Sequence, residues 1–158
     1  MAQATSEHDV LEHLVAISRE LTGARYGAGL LLGTDADPSC LVHQGMTSAQ
    51  VAVLPRLPRP VGLIGAVLRG QTLRLTDLSQ HPDSVGFPAR HAPMRAFLGV
   101  PVATANGVLG GLYLLRPPEH GEFTADDQAS AEAMARLAGL AVDALRREQI
   151  NRDLLEHL

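Results

Sequence analysis

Two apolar runs joined by an Asn-Gly turn constrain this fold more than any other feature of the sequence. The runs cover residues 96–103 and 108–115, and Asn106-Gly107 lies between them. Asn-Gly supplies the positive φ angles that a tight hairpin turn needs, and each run has the length of a strand. The pair therefore predicts a β-hairpin and, with it, an antiparallel sheet.

Both ends of the chain have the pattern of helices. Apolar residues recur at helical spacing over residues 7–22, and Ser6 is placed to cap that helix. Thr124 caps a second helix that begins at about Ala125 and continues to the chain end. At 1.5 Å per residue this last helix is roughly 50 Å long, more than a small domain needs for its own core.

The last helix also carries a heptad seam, which indicates pairing with a second helix or a connection to a further domain. A frayed, solvated end is the alternative. The seam advances in steps of three and four residues and consists of Met134, Leu137, Ala141, Ala144, Glu148, Asn151, Leu155 and Leu158.

Shorter elements fill the middle of the chain. Residues 25–32 and 40–44 predict a second hairpin, residues 62–69 a short helix, and residues 72–78 a strand. A long loop with three prolines follows over residues 81–93. The order predicts an α+β domain, with a mostly antiparallel sheet of five or six strands and the terminal helices packed on one face.

Composition excludes several classes of function. The 158 residues are 46% hydrophobic, which fits one globular domain, and the net charge is −4. A net-negative chain without a basic cluster predicts no nucleic-acid or membrane partner. The single Cys40 excludes an intrachain disulfide or a cysteine metal cluster and is typical of a cytoplasmic protein. No Lys is present, so lysine-based catalysis is excluded.

Two features are candidates for a binding site. His91 lies beside Pro93 and Met94, just before the apolar run 96–103, and a single imidazole in apolar surroundings is what a haem iron needs as its proximal ligand. A polar surface histidine is the alternative. The pair Gly110-Gly111 lies inside a predicted strand, which indicates a bulge or the close approach of a flat or bulky group.

The residues also carry a family resemblance. The segment RLTDLSQHPDSVGFPARHAPMRAFLGVPV, residues 74–102, and the hairpin FLGVPV…GVLGGLYL resemble the GAF domains of actinobacterial sensor histidine kinases. The resemblance covers roughly residues 11–147. It extends to the mycobacterial dormancy-survival sensor kinases, whose first GAF domain holds a b-type haem and senses oxygen, nitric oxide, carbon monoxide or redox state. It implies a GAF fold over residues 1–147 and a connecting helix over residues 148–158.

The resemblance implies roles for individual residues. The family's proximal haem ligand falls on His91 and its distal tyrosine on Tyr113, on the same strand face as Gly111, whose small size would leave room for a flat ring. The sequence departs from the family pattern in three ways, since Ala92 replaces a proline, Gly111 replaces an asparagine, and the Lys that usually follows the strand is absent. The expected apolar lining of the haem pocket is Leu30, Leu32, Leu63, Val67, Phe87, Met94 and Phe97.

Together these features predict a haem-binding GAF sensory domain that responds to a diatomic gas or to redox state. Its expected partners are a second copy, joined through the terminal helices, and a kinase or second GAF domain in a longer parent chain. No enzymatic activity is expected of the domain itself. The alternative is a haem-free module for dimerisation or small-molecule binding, in which His91 anchors a loop and Tyr113 is a sheet-face tyrosine with a satisfied hydroxyl.

Overall fold

The computed structural model describes residues 5–46, 62–77 and 94–158. Of the helices in these ranges, none combines the length and the apolar character needed to cross a bilayer. In chain order the elements are α1 (Glu7–Thr22), β1 (Tyr26–Leu32), β2 (Pro38–Gln44), α2 (Gly62–Leu68), β3 (Leu73–Leu75), β4 (Ala96–Thr104), β5 (Gly107–Arg116), a short 3₁₀ turn (Pro118–His120) and α3 (Ala125–Glu156).

The hairpin predicted from Asn106-Gly107 forms the centre of the sheet. β4 and β5 pair antiparallel from Ala96 opposite Arg116 to Thr104 opposite Gly107. The strand order is β2-β1-β5-β4-β3, and each neighbouring pair is antiparallel. The described sheet therefore has five strands, with β5 in the middle, and the α+β prediction is confirmed.

Both long helices begin with the predicted caps. The Ser6 hydroxyl accepts a hydrogen bond from the backbone N–H of Asp9, whose carboxylate accepts one from the Ser6 N–H. Thr124 and Asp127 form the same reciprocal pair at the start of α3. Such a capping box satisfies two backbone donors that a helix start otherwise leaves free.

The two long helices pack on one face of the sheet, which we call the helix-pair face. Small residues allow close contact there. A Cβ atom on Gly29 of β1 would lie 2.6 Å from Leu11 Cδ1 of α1, and one on Gly139 of α3 would lie 2.8 Å from the carbonyl oxygen of Ala103. The buried residues of α3 are themselves small, namely Ala131, Ala135, Ala138, Gly139 and Val142.

Arginine side chains join α1 to α3 at both ends of the pair. Arg116 donates to the carbonyl oxygens of Thr22 and Glu122 and lies 3.4 Å from the carboxylate of Asp127. At the opposite end, Arg146 donates to the carboxylate of Glu7 at 3.0 Å.

Arg146 also reaches the sheet, because it donates to the carbonyl oxygen of Leu32 at the end of β1. Its side chain is 19% exposed. Every residue of α3 after Arg146 is exposed, so this contact marks the point where the helix leaves the domain.

One local prediction was wrong in its extent. The strand expected over residues 72–78 covers only Leu73–Leu75, because it pairs only with residues 97–99 of β4. Beyond it, the Thr76 hydroxyl donates to the Glu122 carboxylate at 2.7 Å, which turns the chain towards the loop before α3. The loop expected over residues 81–93 lies outside the described residues.

Replacing Arg146 tests the joint at the carboxyl-terminal end of the domain. We expect Arg146→Ala to lower the free energy of unfolding by about 1–3 kcal/mol, because it removes charge-assisted hydrogen bonds from a largely buried group. Arg147→Ala is the matched control, since that side chain is 68% exposed and pairs with Asp143 one turn away. We expect it to change stability by no more than about 0.5 kcal/mol. Urea denaturation followed by circular dichroism measures both, and equal losses would contradict the joint.

Candidate functional site

Of the described elements, the short helix α2 is the one that lies on the opposite face of the sheet, and we call this the α2 face. Alternate residues of the central strands turn their side chains to this face. Its buried residues are Tyr26, Leu30, Leu63, Val67, Phe97, Tyr113 and Leu115. This second apolar cluster is separate from the one beneath the helix pair, so the sheet has an independent core on each side.

Most of the predicted pocket lining lies together on the α2 face. Leu63 and Val67 of α2 and Phe97 of β4 are fully buried there, with Met94 packed against them. Leu30 joins them from β1.

Two of the expected positions, His91 and Phe87, lie outside the described residues. Leu32 is not among the described residues of the cluster: the pairing of β1 with β2 is irregular between Leu31 and Leu32, and Leu32 is half-buried at the end of the strand. Its carbonyl oxygen serves the Arg146 joint instead.

Tyr113 is one of two tyrosines, with Tyr26, in the buried α2-face cluster of the described residues. It is 4% exposed, and its hydroxyl donates to the carbonyl oxygen of Ile64 in α2 at 3.2 Å. The Phe97 ring lies 6.3 Å away between centroids, tilted by 41°. Strand pairing places Ala28 of β1 and Gly99 of β4 directly beside Tyr113. Small neighbours on both sides therefore leave space for the phenol ring to lie close to the sheet.

The ring of Tyr113 lies back along its own strand, over Gly111. A Cβ atom on Gly111 would be 2.5 Å from the phenol oxygen and 2.7 Å from Cζ of Tyr113. The bulky group that the glycine pair predicted is thus a side chain of this protein. The expectation that Gly111 leaves room for a flat ring is wrong for this arrangement, and the described residues do not fit a macrocycle over Gly111 while Tyr113 lies there.

Gly110 has a different role from its neighbour. A Cβ atom on it would lie 2.0 Å from the carbonyl oxygen of Leu30, so the backbone of β1 itself occupies that space. The β4–β5 pairing also shifts register between Val102 and Ala103, next to the Val102–Gly110 pair. The glycine pair in the sequence indicated either a bulge or the close approach of another group, and the structure has both.

Burial raises the pKa of the Tyr113 phenol well above its usual range. Desolvation is the cause, because the phenolate would lose its hydration on an apolar face. Tyr113 therefore acts as a neutral hydrogen-bond donor.

Sequence reasoning missed the acceptor for this donor. A backbone carbonyl such as that of Ile64 has no signature in the sequence, and only the packing of α2 on β5 brings it to the hydroxyl. Leu41, Leu73 and Leu75, which also pack against the cluster, were likewise not identified.

A small group of metal-binding side chains lies far from the α2 face, on α1. Ligand atoms of His8, Asp9 and Glu12 come within 4.8 Å of one another. His8 and Glu12 are exposed, and the Asp9 carboxylate is already held by the Ser6 backbone in the capping box. We interpret the group as a solvated helix start.

The outward face of α3 departs from the usual amphipathic pattern. Its inward residues are alanines, glycine and valine, whereas Leu137 and Leu140 are 59% and 62% exposed. Two residues of the predicted heptad seam, Met134 and Ala141, are half-buried. They line a shallow groove of about 200 Å³ between α1 and α3. The other large apolar residues exposed on the two helices are Ile17, Leu21, Ile150, Leu154 and Leu155, and the exposed Leu158 follows α3.

Comparisons with known proteins agree on the fold. A family model described as "GAF domain" matches residues 4–143. The GAF domain of an Acinetobacter phosphoenolpyruvate-protein phosphotransferase superposes with a TM-score of 0.73 at 20% identity, covering 92% of this chain and 87% of that one. The second GAF domain of DevS from Mycobacterium smegmatis gives 0.71 at 18% identity, covering 91% and 98%.

A third similar structure is a photoreceptor domain. The blue-light absorbing form of the Thermosynechococcus elongatus PixJ GAF domain superposes with a TM-score of 0.64 at 17% identity, covering 96% of this chain and 93% of that one. At these identities the structural likeness shows a shared fold. It does not transfer a ligand.

Alkaline titration tests the environment of Tyr113. The chain has two tyrosines and no Lys, so few other groups ionise in the same range. We expect one phenol to ionise above the usual range, with that transition absent from Tyr113→Phe and retained in Tyr26→Phe, by near-ultraviolet absorbance. Since the folded pKa is raised, the stability from the neutral phenol is complete below about pH 10 and is lost as pH rises through the folded pKa. A high transition that persists in Tyr113→Phe would contradict the assignment.

Proposed function

Because the chain belongs to the GAF domain family, we propose that it is a sensory domain that binds a small ligand on its α2 face and signals through α3. One observation carries this proposal: in the described residues the sheet has a second buried apolar cluster, with two tyrosines as its polar side chains, beneath a helix of only seven residues. An apolar site with few polar groups is typical of small-molecule binding. The central strand β5 contributes to this cluster and to the helix-pair core, so a change on one face can reach the other.

For the ligand we propose haem b, which would give the domain a response to a diatomic gas or to redox state. The support is the resemblance of residues 74–102 together with the apolar lining from Leu63, Val67 and Phe97. In this proposal His91 is the iron ligand. Tyr113 occupies the space over Gly111, so a haem on this face does not lie at that point while the phenol stays there.

An absorption spectrum tests the haem proposal. We expect the protein reconstituted with hemin to show an intense Soret band that shifts on reduction with dithionite and again with carbon monoxide. His91→Ala should lose or alter this spectrum because the axial ligand is removed. His120→Ala, a change at an exposed histidine, is the matched control and should keep the spectrum.

The opposite result identifies the alternative function. If hemin gives no Soret band with the wild-type protein, haem binding is excluded, and the domain is a haem-free module for dimerisation or small-molecule binding. An unchanged spectrum in His91→Ala would exclude His91 as the ligand.

We also propose that α1 and α3 pair with a second copy of the chain. Leucines on the outside of α3 and alanines on the inside reverse the arrangement expected of a helix that serves only its own domain. Exposed large apolar side chains grouped on helices in this way often mark an interface. In a longer parent chain, α3 would then join the domain to a kinase or to a second GAF domain.

Light scattering after size-exclusion chromatography tests the pairing. We expect a dimer for the wild-type chain and a monomer for the double variant Leu137→Glu with Leu140→Glu, because charges would enter the centre of the interface. Ala105→Glu, in the exposed β4–β5 turn, controls for added negative charge and should remain dimeric. A monomeric wild-type chain would exclude pairing through these helices.

A further inference from the structure

We propose that the Tyr113 side chain is a built-in plug of the α2 face: a flat ligand can lie on the sheet over Gly111 only after the phenol leaves and its hydrogen bond to Ile64 is broken. The inference rests on the proposed function, since it concerns the same face. It adds a residue that keeps the site closed in the absence of ligand and that links ligand entry to movement of α2.

Side chains of this protein already occupy the space on the sheet that a flat ligand would need. The sheet has a depression around Tyr113, because the neighbouring residues Gly111, Gly99 and Ala28 are small and no large side chain projects from these positions. The phenol fills the space over Gly111, with its oxygen 2.5 Å from the ideal Cβ position. Val67 of α2 and Phe97 fill the space over Gly99 in the same way, at 2.6 Å and 2.8 Å. A ligand ring on the sheet and these side chains are therefore mutually exclusive.

The Tyr113 side chain also connects the sheet to α2. The Tyr113 hydroxyl donates to the Ile64 carbonyl oxygen, in the first turn of α2. A helix of seven residues has little stability of its own, so it depends on tertiary contacts to stay folded and in place. The hydrogen bond and the contact of Val67 with the sheet hold α2 down together. Removal of the phenol takes away the hydrogen bond and part of the packing surface.

The phenol of Tyr113 can leave its position without disruption of the sheet. Tyr113 lies on β5 between Leu112 and Leu114, which belong to the other core, and the hydrogen-bonded pairing of β5 does not involve its side chain. Rotation about the side-chain torsions can therefore clear the depression while the sheet stays intact. The cost is the loss of one hydrogen bond and of the buried packing of one ring, and a ligand that fills the same apolar volume offsets it.

A set of variants separates the ring from the hydroxyl. Tyr113→Phe keeps the ring and removes the hydrogen bond, Tyr113→Ala removes both, and Gly111→Ala pushes the ring away from the sheet. Leu112→Ala is the matched control, because it opens an equally buried position of the same strand towards the helix pair. The probes are anilinonaphthalene sulfonate fluorescence, hemin absorbance, and amide hydrogen exchange of the peptide that contains residues 62–68.

We expect exchange in α2 to rise roughly two- to tenfold in Tyr113→Phe, which corresponds to one lost hydrogen bond, without a gain in dye binding. Tyr113→Ala should show at least this rise together with dye fluorescence well above that of Leu112→Ala. Gly111→Ala should resemble Tyr113→Ala, and it carries the same test if Tyr113→Ala does not fold. Equal dye binding by the α2-face variants and Leu112→Ala, or unchanged exchange in Tyr113→Phe, would overturn the plug.

Hemin separates this inference from the haem proposal. If no variant gives a Soret band while the α2-face variants bind the dye, haem is excluded and the plug stands for another ligand. If hemin binds the wild type, Tyr113→Ala and Gly111→Ala with equal affinity, and dye binding also stays at the level of Leu112→Ala, the haem proposal stands and the plug is wrong.

Discussion

The central strand β5 is the element on which both halves of this structure depend. Residues 110–115 are buried without interruption, and alternate side chains enter two different cores. Leu112 and Leu114 pack beneath the helix pair, whereas Tyr113 and Leu115 face α2. Because the side-chain period of a strand is two, a slip of one residue would move Tyr113 to the helix-pair face and reverse every contact. The register of this strand therefore positions the candidate site and its supporting layer together.

The helix pair combines a small interior with arginine joints at its ends. Alanines and Gly139 let α3 approach the sheet closely, but they bury little apolar area per residue. Arg116 and Arg146 supply directed contacts at the two ends, including bonds to backbone carbonyl oxygens of other elements. The large apolar side chains of α3 are left for the outside. This division suits a helix that both closes its own domain and contacts a partner.

The α2 face has features of a binding site and also of a fully packed core. Its lining is apolar and its cover is a short helix, yet the space nearest the sheet is filled by Tyr113, Val67 and Phe97. The sequence showed the glycines in this strand and indicated that a bulky group could pack closely against them. It did not show which group this is, because a tyrosine two residues along the same strand and an external ligand leave the same pattern.

The sequence by itself determined the hairpin, both helix caps, the α+β class and the family, because each depends on local spacing or on motifs. It also identified Leu63, Val67, Phe97 and Tyr113 as neighbours. The tertiary structure decided the use of those residues. The direction of the Tyr113 ring, its bond to the Ile64 carbonyl, the short β3 and the place of Leu32 all follow from contacts between distant segments. Such contacts depend on backbone atoms and packing, which carry no residue-specific signal in the chain.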